Sequence, residues 1–342
     1  MTPSAAIAEA DAADGVRAAF GLRGQLERLP GEADHNFLLT TGTGQRYVVK
    51  FAHLRVDPRV VRVQARVLRH IESAAPGLPV PRVVPTVTGE QWATVTDGPL
   101  RGRVVHVTTY LDGQLLSSVR TSAGLRYQLG VTLGSLGHAM REFDDPLVHR
   151  PLLWDIAEMS RLRPLITELP PAAGTSLLAE QLGRFSTKVA PRLGTQRTQL
   201  IHNDFSPDNV LISADLRRVC GIIDFGDVTK TALVNDIAIA AAYQLSDHAD
   251  MLGPAVDVIR GYHATIPLTA SEVDLLPELI LARMVARIVI TEWRAARFPE
   301  NRAYIMRSTP RAWEHLNRLL AIPADERAAR IRSACRPGAA DS

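Results

Sequence analysis

The sequence predicts an α+β fold with two lobes, a small β-rich N-terminal lobe and a larger, mostly helical C-terminal lobe. Short β-prone runs dominate the first 111 of the 342 residues. Longer runs with apolar residues at helical spacing dominate the remainder. Because Asp112 and Gly113 end the last β-prone run, we place the lobes at residues 1–111 and 112–342.

The N-terminal lobe begins with a predicted β-hairpin. Residues 36–41 and 45–51 are β-prone and are joined by a short turn with two glycines. Asp57 and Pro58 form a helix start signal, and the apolar spacing that follows predicts a helix over residues 60–71. Further strands are expected at residues 82–87, 92–95 and 103–111.

The C-terminal lobe shows helical periodicity over most of its length. Residues 170–174 are interpreted as a loop inside this lobe, and residues 1–12 and 334–342 are expected to be frayed. The helices are predicted at residues 121–143, 176–189, 236–245, 255–263, 271–297 and 309–320.

Two segments of the chain carry the polar residues of a phosphoryl-transfer site. Asp204 lies in a polar loop, Asn209 precedes the apolar run 210–212, and Asp224 ends the next apolar run. Phosphoryl transfer depends on positioning and charge neutralisation, with a carboxylate to orient the attacking hydroxyl and hard oxygen ligands for Mg²⁺. The pattern therefore predicts Asp204 as the catalytic carboxylate and Asn209 and Asp224 as metal ligands.

Each of these residues also has an ordinary structural explanation. An Asp followed five residues later by an Asn is expected about once by chance in a chain of ordinary composition, and Asp-Phe-Gly alone is a common turn. His202, taken singly, is interpreted as a hydrogen-bonded structural histidine. The ordered set with strand-like flanks is what favours a phosphotransferase.

Lys50 ends the second strand of the predicted hairpin and is the candidate phosphate-binding residue. It is one of three lysines in a chain with 39 basic residues, and Tyr-Val-Val-Lys resembles the Val-Ala-Ile-Lys strand of kinases. Kinases hold this lysine with an acidic helix residue, but the inward candidate here is Gln64, from which weaker anchoring is expected. The loop that ends at Asn36 has one glycine and is a weaker candidate for phosphate contact.

The end of the last N-terminal strand is the expected purine site. Backbone groups of Thr109, Tyr110 and Leu111 are predicted to bind the edge of a nucleotide base, because ligands favour the crevice where two domains join.

The residues described above belong to a longer series of motifs along the chain. These motifs lie at residues 31–37, 48–50, 109–113, 153–155, 202–204, 223–227, 236–243 and 299–301. Through them the sequence resembles the aminoglycoside phosphotransferase (APH) family of small-molecule kinases over roughly residues 25–320, and most of all its hydroxylysine kinase branch. The resemblance implies a bilobal protein-kinase-like fold of the APH type, with Mg²⁺ and with ATP or GTP as phosphoryl donor. It also implies a hydroxyl acceptor on a small, amine-bearing and therefore cationic metabolite or drug.

The same resemblance assigns roles residue by residue. Asp204 is implied as catalytic, Asn209 and Asp224 as metal ligands and Lys50 as a phosphate ligand. His202 and Asp236 would brace the catalytic loop through hydrogen bonds. Asn203 stands where the family commonly has glycine, which narrows the backbone dihedrals that the loop can adopt.

Acidic residues outside this set are candidates for acceptor binding. Asp227 lies three residues past Asp224 and would pair with a substrate ammonium, or it caps a loop or helix. Asp155, with Asp144 or Asp145, would line the acceptor pocket, although a solvated surface role is the better single prediction for each. Hydroxylysine, another amino alcohol, an amino sugar and an aminoglycoside all remain open as acceptors.

Three functional classes remain besides the amino-alcohol kinase. An aminoglycoside-type antibiotic phosphotransferase fits the same motifs. A protein kinase is disfavoured because Asp224 and Asp236 lie too close together for an activation segment. A non-catalytic nucleotide-binding module is favoured by Gln64 and opposed by the intact set of Asp204, Asn209 and Asp224.

Net charge, cysteine content and apolar segments limit the partners and the cellular location that the sequence predicts. A net charge of +3, with arginines scattered among acidic residues, gives little support for a nucleic-acid partner. Cys220 and Cys335 lie in unrelated contexts and predict no disulfide. The first residues lack a charged and apolar leader, and the longest apolar stretch is interrupted by Asn235 and Asp236. A cytoplasmic protein without a membrane partner is expected, and its oligomeric state stays open.

Overall fold

The computed structural model describes residues 7–30, 34–54, 56–170 and 173–336. Within it the chain forms two compact units. The first consists of Met1–Gly113, Asp145–Leu147 and Cys220–Gly226, and the second consists of Gln114–Asp144, Val148–Val219 and Asp227–Ser342. Two short segments of the later chain thus belong to the same unit as the N-terminal residues.

The first unit is built on an antiparallel sheet with strand order β1-β2-β3-β6-β4, with β5 paired to β6. Its fully buried core includes Phe37, Phe51 and Val105. The elements are α1 (Glu9–Phe20), β1 (Gly24–Leu29), β2 (His35–Thr41), β3 (Arg46–Phe51), α2 (Pro58–Ala74), β4 (Val83–Val84), β5 (Ala93–Thr94) and β6 (Val104–Thr109).

The predicted hairpin and helix of this unit are present. β2 and β3 are joined by a turn in which the N–H of Gly44 donates to the carbonyl of Thr41 (2.9 Å), with Gly44 at a positive φ of 82° that glycine adopts without strain. The carboxylate of Asp57 accepts the N–H of Arg59 (2.9 Å) at the start of α2. Both features follow from local turn and capping chemistry.

The expected fraying of residues 1–12 is wrong for the last four of them. α1 begins at Glu9, and Ala12 is fully buried in the core of the first unit. The helix buries Ala12, Val16 and Phe20, and three apolar positions in a short segment give only a weak periodic pattern in the sequence. Residues 1–6, 31–33 and 337–342 lie outside the described residues, so the expectations about the loop that begins at residue 31 and about the C-terminal end are not addressed there.

The second unit is mostly helical. β8 and β11 pair antiparallel, with Thr229 opposite Ile201, and β7 pairs with β9. The first residue of β10, Val219, belongs to the second unit, and its other three residues belong to the first. The elements are β7 (Gln114–Leu115), α3 (Ala123–Met140), α4 (Arg163–Glu168), α5 (Ala173–Arg184), α6 (Ala190–Leu193), β8 (Thr198–Ile201), β9 (Val210–Ile212), β10 (Val219–Ile222), β11 (Thr229–Ala232), α7 (Val234–Tyr243), α8 (Gly253–Thr265), α9 (Ala270–Arg297), α10 (Arg302–Ile305), α11 (Thr309–Ala321) and α12 (Ala324–Ala334).

Helix α9 is the longest element, with 28 residues. It starts with a capping box in which Thr269 accepts the N–H of Glu272 and the Glu272 carboxylate accepts the N–H of Thr269. The buried Glu272 carboxylate also binds the guanidinium of Arg197 at 2.7 Å. These contacts fix the register of α9, whose buried face carries Arg283 into the interior of the second unit.

Membrane insertion finds no support in the helices. None of those in the four described ranges combines the length and the apolar character that spanning a bilayer requires.

Candidate active site

The loop between β8 and β9 holds the predicted catalytic carboxylate. Asp204 accepts two hydrogen bonds from the Nδ2 group of Asn209, at its own carbonyl (3.0 Å) and at Oδ2 (2.6 Å). The N–H of Ser206 also donates to the Asp204 carbonyl (2.8 Å). Asn209 therefore closes the loop onto Asp204. Since both bonds use the Nδ2 group, the Oδ1 atom of Asn209 takes no part in them.

Asp236 in the first turn of α7 braces the start of the same loop. Its carboxylate accepts the N–H groups of His202 (3.2 Å) and Asn203 (2.9 Å), and the N–H of Asp204 donates to Nδ1 of His202 (3.3 Å). Burial raises the pKa of Asp236, while His202 and the two N–H donors act in the opposite direction. These hydrogen bonds tie the start of the loop to α7, and the bracing role of His202 and Asp236 stays a prediction.

Asn203 adopts a left-handed backbone conformation, with φ at 64°. This region favours glycine, and asparagine is among the few other residues that enter it readily. The substitution of Asn203 for the glycine common in the family is therefore compatible with the loop conformation. Its buried side-chain oxygen and nitrogen have no hydrogen-bond partner in the described part of the chain.

Arg283 is a site residue that the sequence reasoning missed. Its Nη2 lies 3.1 Å from Oδ1 of Asp204 and 3.3 Å from the hydroxyl of Tyr243, and its Nη1 donates to the carbonyl of Trp154 (2.8 Å). Only 1% of its side chain is exposed. Burial lowers the pKa of Arg283, but Tyr243, Asp204 and Asp227 outweigh burial and the net direction is upward. The available signal was the position of Arg283 in a stretch of α9 whose other residues, apart from Arg287, are apolar.

In the first unit, Lys50 and Asp224 lie together. The Nζ atom of Lys50 is 3.7 Å from Oδ1 of Asp224, and the N–H of Gly226 donates to the same oxygen (3.2 Å). Asp224 has a positive φ of 62°. Within the described ranges Lys50 makes no hydrogen bond to Gln64, whose amide nitrogen instead lies near Gly226. The acidic partner of Lys50 is thus the predicted metal ligand and not a residue of α2.

His106 lies opposite Lys50 on the neighbouring strand β6. The pKa of His106 is lowered from 6.5 to about 3, mainly by burial and also by the charge of Lys50, while Asp224 acts in the opposite direction. The side chain is therefore neutral at physiological pH, and it adds no charge beside Lys50.

We expect His106 to make the protein sensitive to acid. Its pKa is lower in the folded than in the unfolded state, so the unfolded state binds more protons between these values and stability falls as the pH drops below about 6.5. At pH 5 this loss is about 2 kcal/mol. Urea unfolding at pH 8 and pH 5 measures it, and His106→Gln is expected to lose less stability between the two pH values. An equal loss in both proteins would contradict the assignment.

Two backbone N–H groups of the expected purine-binding segment already form hydrogen bonds within the first unit. The N–H of Thr109 donates to the carbonyl of Arg82 (2.9 Å), and that of Tyr110 donates to the carbonyl of Arg46 (3.1 Å). The ring of Tyr110 packs under the Arg46 guanidinium. A base that binds here would therefore use the amide of Leu111 or backbone carbonyls. Asn36, on β2 opposite Lys50, donates to the carbonyl of Pro30 and leaves its buried Oδ1 without a partner in the described part of the chain.

The expected solvated role of Asp155 is wrong. Only 6% of Asp155 is exposed, and its Oδ1 accepts the N–H of Ala157 (3.0 Å), the Thr231 hydroxyl (3.2 Å) and the Asn235 amide (3.2 Å). Burial raises the pKa of Asp155, and these three hydrogen bonds lower it by less than burial raises it. The carboxylate ties the chain before α4 to β11 and α7, which is a structural role.

The other acidic candidates have different surroundings. Asp145 is also buried, where it pairs with Arg66, so its expected solvated role is wrong as well. Asp144 is exposed and binds Lys230 at 3.0 Å. Asp227 is half-buried, and its charge raises the pKa of both Arg150 and Arg283. Two basic side chains of its own unit thus interact electrostatically with Asp227.

The donor set of the proposed metal ligands fits a hard cation. The Asn209 amide oxygen and the Asp224 carboxylate are oxygen ligands of the kind that Mg²⁺ takes in kinases. Within the ranges that the structure describes, no group of three or more His, Cys, Asp and Glu side chains forms a metal-binding cluster. Such a cluster is not required, because Mg²⁺ at kinase sites is held by few protein groups together with phosphate oxygens and water.

Known proteins resemble this chain over most of its length. A model of the "Phosphotransferase enzyme family" (APH) matches residues 25–273. Hydroxylysine kinase of Mus musculus is 25% identical over 335 residues, 91% of this chain and 89% of the relative. Homoserine kinase of Paramagnetospirillum magneticum is 30% identical over 272 residues, 76% of this chain and 78% of the relative.

A solved structure supports the fold. Amicoumacin kinase hAmiN, in complex with AMP-PNP, Ca²⁺ and Ami, matches with a TM-score of 0.68 at 15% identity, over 93% of this chain and 95% of that chain. The likeness confirms the predicted α+β fold of the protein-kinase-like type.

Proposed function

The chain belongs to the phosphotransferase (APH) enzyme family, and we propose that it transfers the γ-phosphoryl group of ATP or GTP, with Mg²⁺, to a hydroxy amino acid such as hydroxylysine or homoserine. That it is a phosphotransferase acting on hydroxyl groups follows from the family and from its kinase relatives. The identity of the acceptor, of the donor nucleotide and of the metal is the proposed part. Relatives named for these two acceptors match most of the chain.

The observation that carries the proposal is the fixed position of Asp204. Asn209 holds one of its carboxylate oxygens and Arg283 holds the other. Such a carboxylate orients an acceptor hydroxyl and takes its proton as the oxygen attacks phosphorus. Since the carboxylate is held before the acceptor arrives, little reorganisation is needed in the transition state.

The nucleotide and the metal ion supply the phosphoryl group and the charge that neutralises it. Asn209 would hold the metal through Oδ1, and Asp224 would hold it through its carboxylate. Lys50, which now pairs with Asp224, would bind phosphate oxygens.

The test is a transfer assay with purified protein, Mg²⁺ and either ATP or GTP. The acceptors are 5-hydroxylysine, homoserine, amino alcohols without a carboxylate, and aminoglycosides. We expect acceptor-dependent nucleoside diphosphate release and a new phosphate ester in ³¹P spectra with the hydroxy amino acids. Turnover with aminoglycosides alone would favour an antibiotic phosphotransferase. Nucleotide binding without transfer to any acceptor would favour the non-catalytic module that Gln64 suggests.

A further inference from the structure

Arg287 is a half-buried arginine on α9 without an acidic partner. Its guanidinium lies over the ring of Tyr243, 4.4 Å from the centroid, and its Nη1 has only a long contact with Sδ of Met284 (3.9 Å). In the described part of the second unit, no carboxylate oxygen lies within ion-pair distance of it. Other half-buried arginines of this unit are paired, such as Arg126 and Arg260, which both pair with Asp257.

The surroundings of Arg287 oppose its positive charge. Arg283 lies near the same Tyr243 ring, 5.6 Å from its centroid. Burial lowers the pKa of Arg287, and Arg283 and Arg311 lower it further, while Tyr243 and Asp204 raise it. A buried cation without a paired anion costs free energy that an anionic ligand would offset. The free protein thus keeps a site for negative charge near its candidate catalytic aspartate.

The spacing along α9 defines the size of the ligand. Arg283 contacts Asp204 directly, and Arg287 lies one helical turn further, about 6 Å along the axis. A hydroxy acid of four to six carbons spans a comparable distance between its hydroxyl and its carboxylate. Both arginines extend from the same face of one helix, four residues apart, so the helix geometry sets their spacing.

We propose that Arg287 binds the carboxylate of the acceptor while the acceptor hydroxyl lies at Asp204. The inference rests on the proposed function and deepens it, since it requires a substrate that carries both groups. An arginine fork matches a carboxylate in shape and charge. The acceptor then carries a carboxylate in addition to the amine that the sequence predicts, so its amino-acid end is zwitterionic. Polycationic amino sugars offer Arg287 no partner and are poor substrates.

Matched acceptors test the proposal. Homoserine is paired with 3-aminopropan-1-ol, and 5-hydroxylysine with 1,5-diaminopentan-2-ol, so that each pair differs only in the carboxylate. We expect the protein to prefer the acid in kcat/KM by roughly 10- to 100-fold. Arg287→Gln is expected to remove most of this preference by raising KM for the acid, with kcat largely kept. Arg287→Lys is expected to restore it in part, because the charge returns without the fork.

The control is Arg297→Gln, which removes an exposed arginine from the same helix and is expected to keep the preference. Equal losses for both members of a pair in Arg287→Gln would overturn the proposal, as would an unmodified protein that does not distinguish them. Calorimetric binding of each acid without nucleotide separates the two hypotheses. Binding that Arg287→Gln abolishes, in a protein without transfer activity, would support the carboxylate site and refute the kinase function. Transfer without a preference for the carboxylate would support the kinase function and refute the carboxylate site.

Discussion

Replacing Asp204 with alanine is expected to lower kcat for phosphoryl transfer by roughly 10²- to 10⁴-fold and to leave nucleotide affinity nearly unchanged. The carboxylate is the group that orients the acceptor hydroxyl and receives its proton. The residues proposed to hold phosphates and metal are Lys50, Asn209 and Asp224, and the substitution leaves them in place. Initial rates at saturating acceptor, together with calorimetric nucleotide binding, measure both effects.

The matched control for Asp204→Ala is Asp208→Ala. Asp208 is a carboxylate of the same loop, but it is 54% exposed and pairs with Arg307 at 3.0 Å. We expect its removal to change kcat little. Loss of nucleotide binding in Asp204→Ala would indicate a folding defect. Asp204→Asn has nearly the same shape as the original residue, so it is expected to keep the fold and nucleotide binding and still lose turnover. Full turnover in both Asp204 variants would refute the catalytic role.

The parts of the fold that were predictable depend on local chemistry. The turn at Gly44, the cap at Asp57 and the polar loop around Asp204 are encoded by residues close together in the chain. The loop motif could be interpreted because a phosphotransferase needs those residue types in that order. The same local logic failed for α1, whose alanine-rich face becomes recognisable only when the core that it covers is known.

What escaped prediction depends on contacts between distant segments. Arg283 lies 79 residues from Asp204 in sequence, and no spacing rule connects them. Asp155 looked like a surface carboxylate because its partners Thr231 and Asn235 are equally remote. The pairing of Lys50 with Asp224 likewise depends on the segment Cys220–Gly226, which is remote in sequence but belongs to the first unit. Burial and pairing of charged residues are tertiary properties, and hydrophobic periodicity does not encode them.

Arg283→Met is expected to lower both the stability of the protein and the rate of transfer. Methionine has a similar length, so the substitution removes the charge and the donors with little change in volume. The Trp154 carbonyl and the Tyr243 hydroxyl then lose a buried donor, and Asp204 loses its ion pair. Removing one partner of a buried pair costs about 3–5 kcal/mol. Because 26% of the Asp204 side chain is exposed and water can reach it, we expect about 3 kcal/mol.

The rate distinguishes an orienting role of Arg283 from a purely structural one. If Arg283 holds Asp204 in position, Arg283→Met lowers kcat, and it has almost no further effect once Asp204 is replaced by alanine. Urea unfolding and initial rates of both single variants and the double variant give this coupling. Arg283→Lys keeps the charge and is expected to retain more stability than activity, because one ammonium cannot reach Asp204, Tyr243 and the Trp154 carbonyl together. Independent effects of the two substitutions on kcat would show that Arg283 supports the fold without orienting the carboxylate.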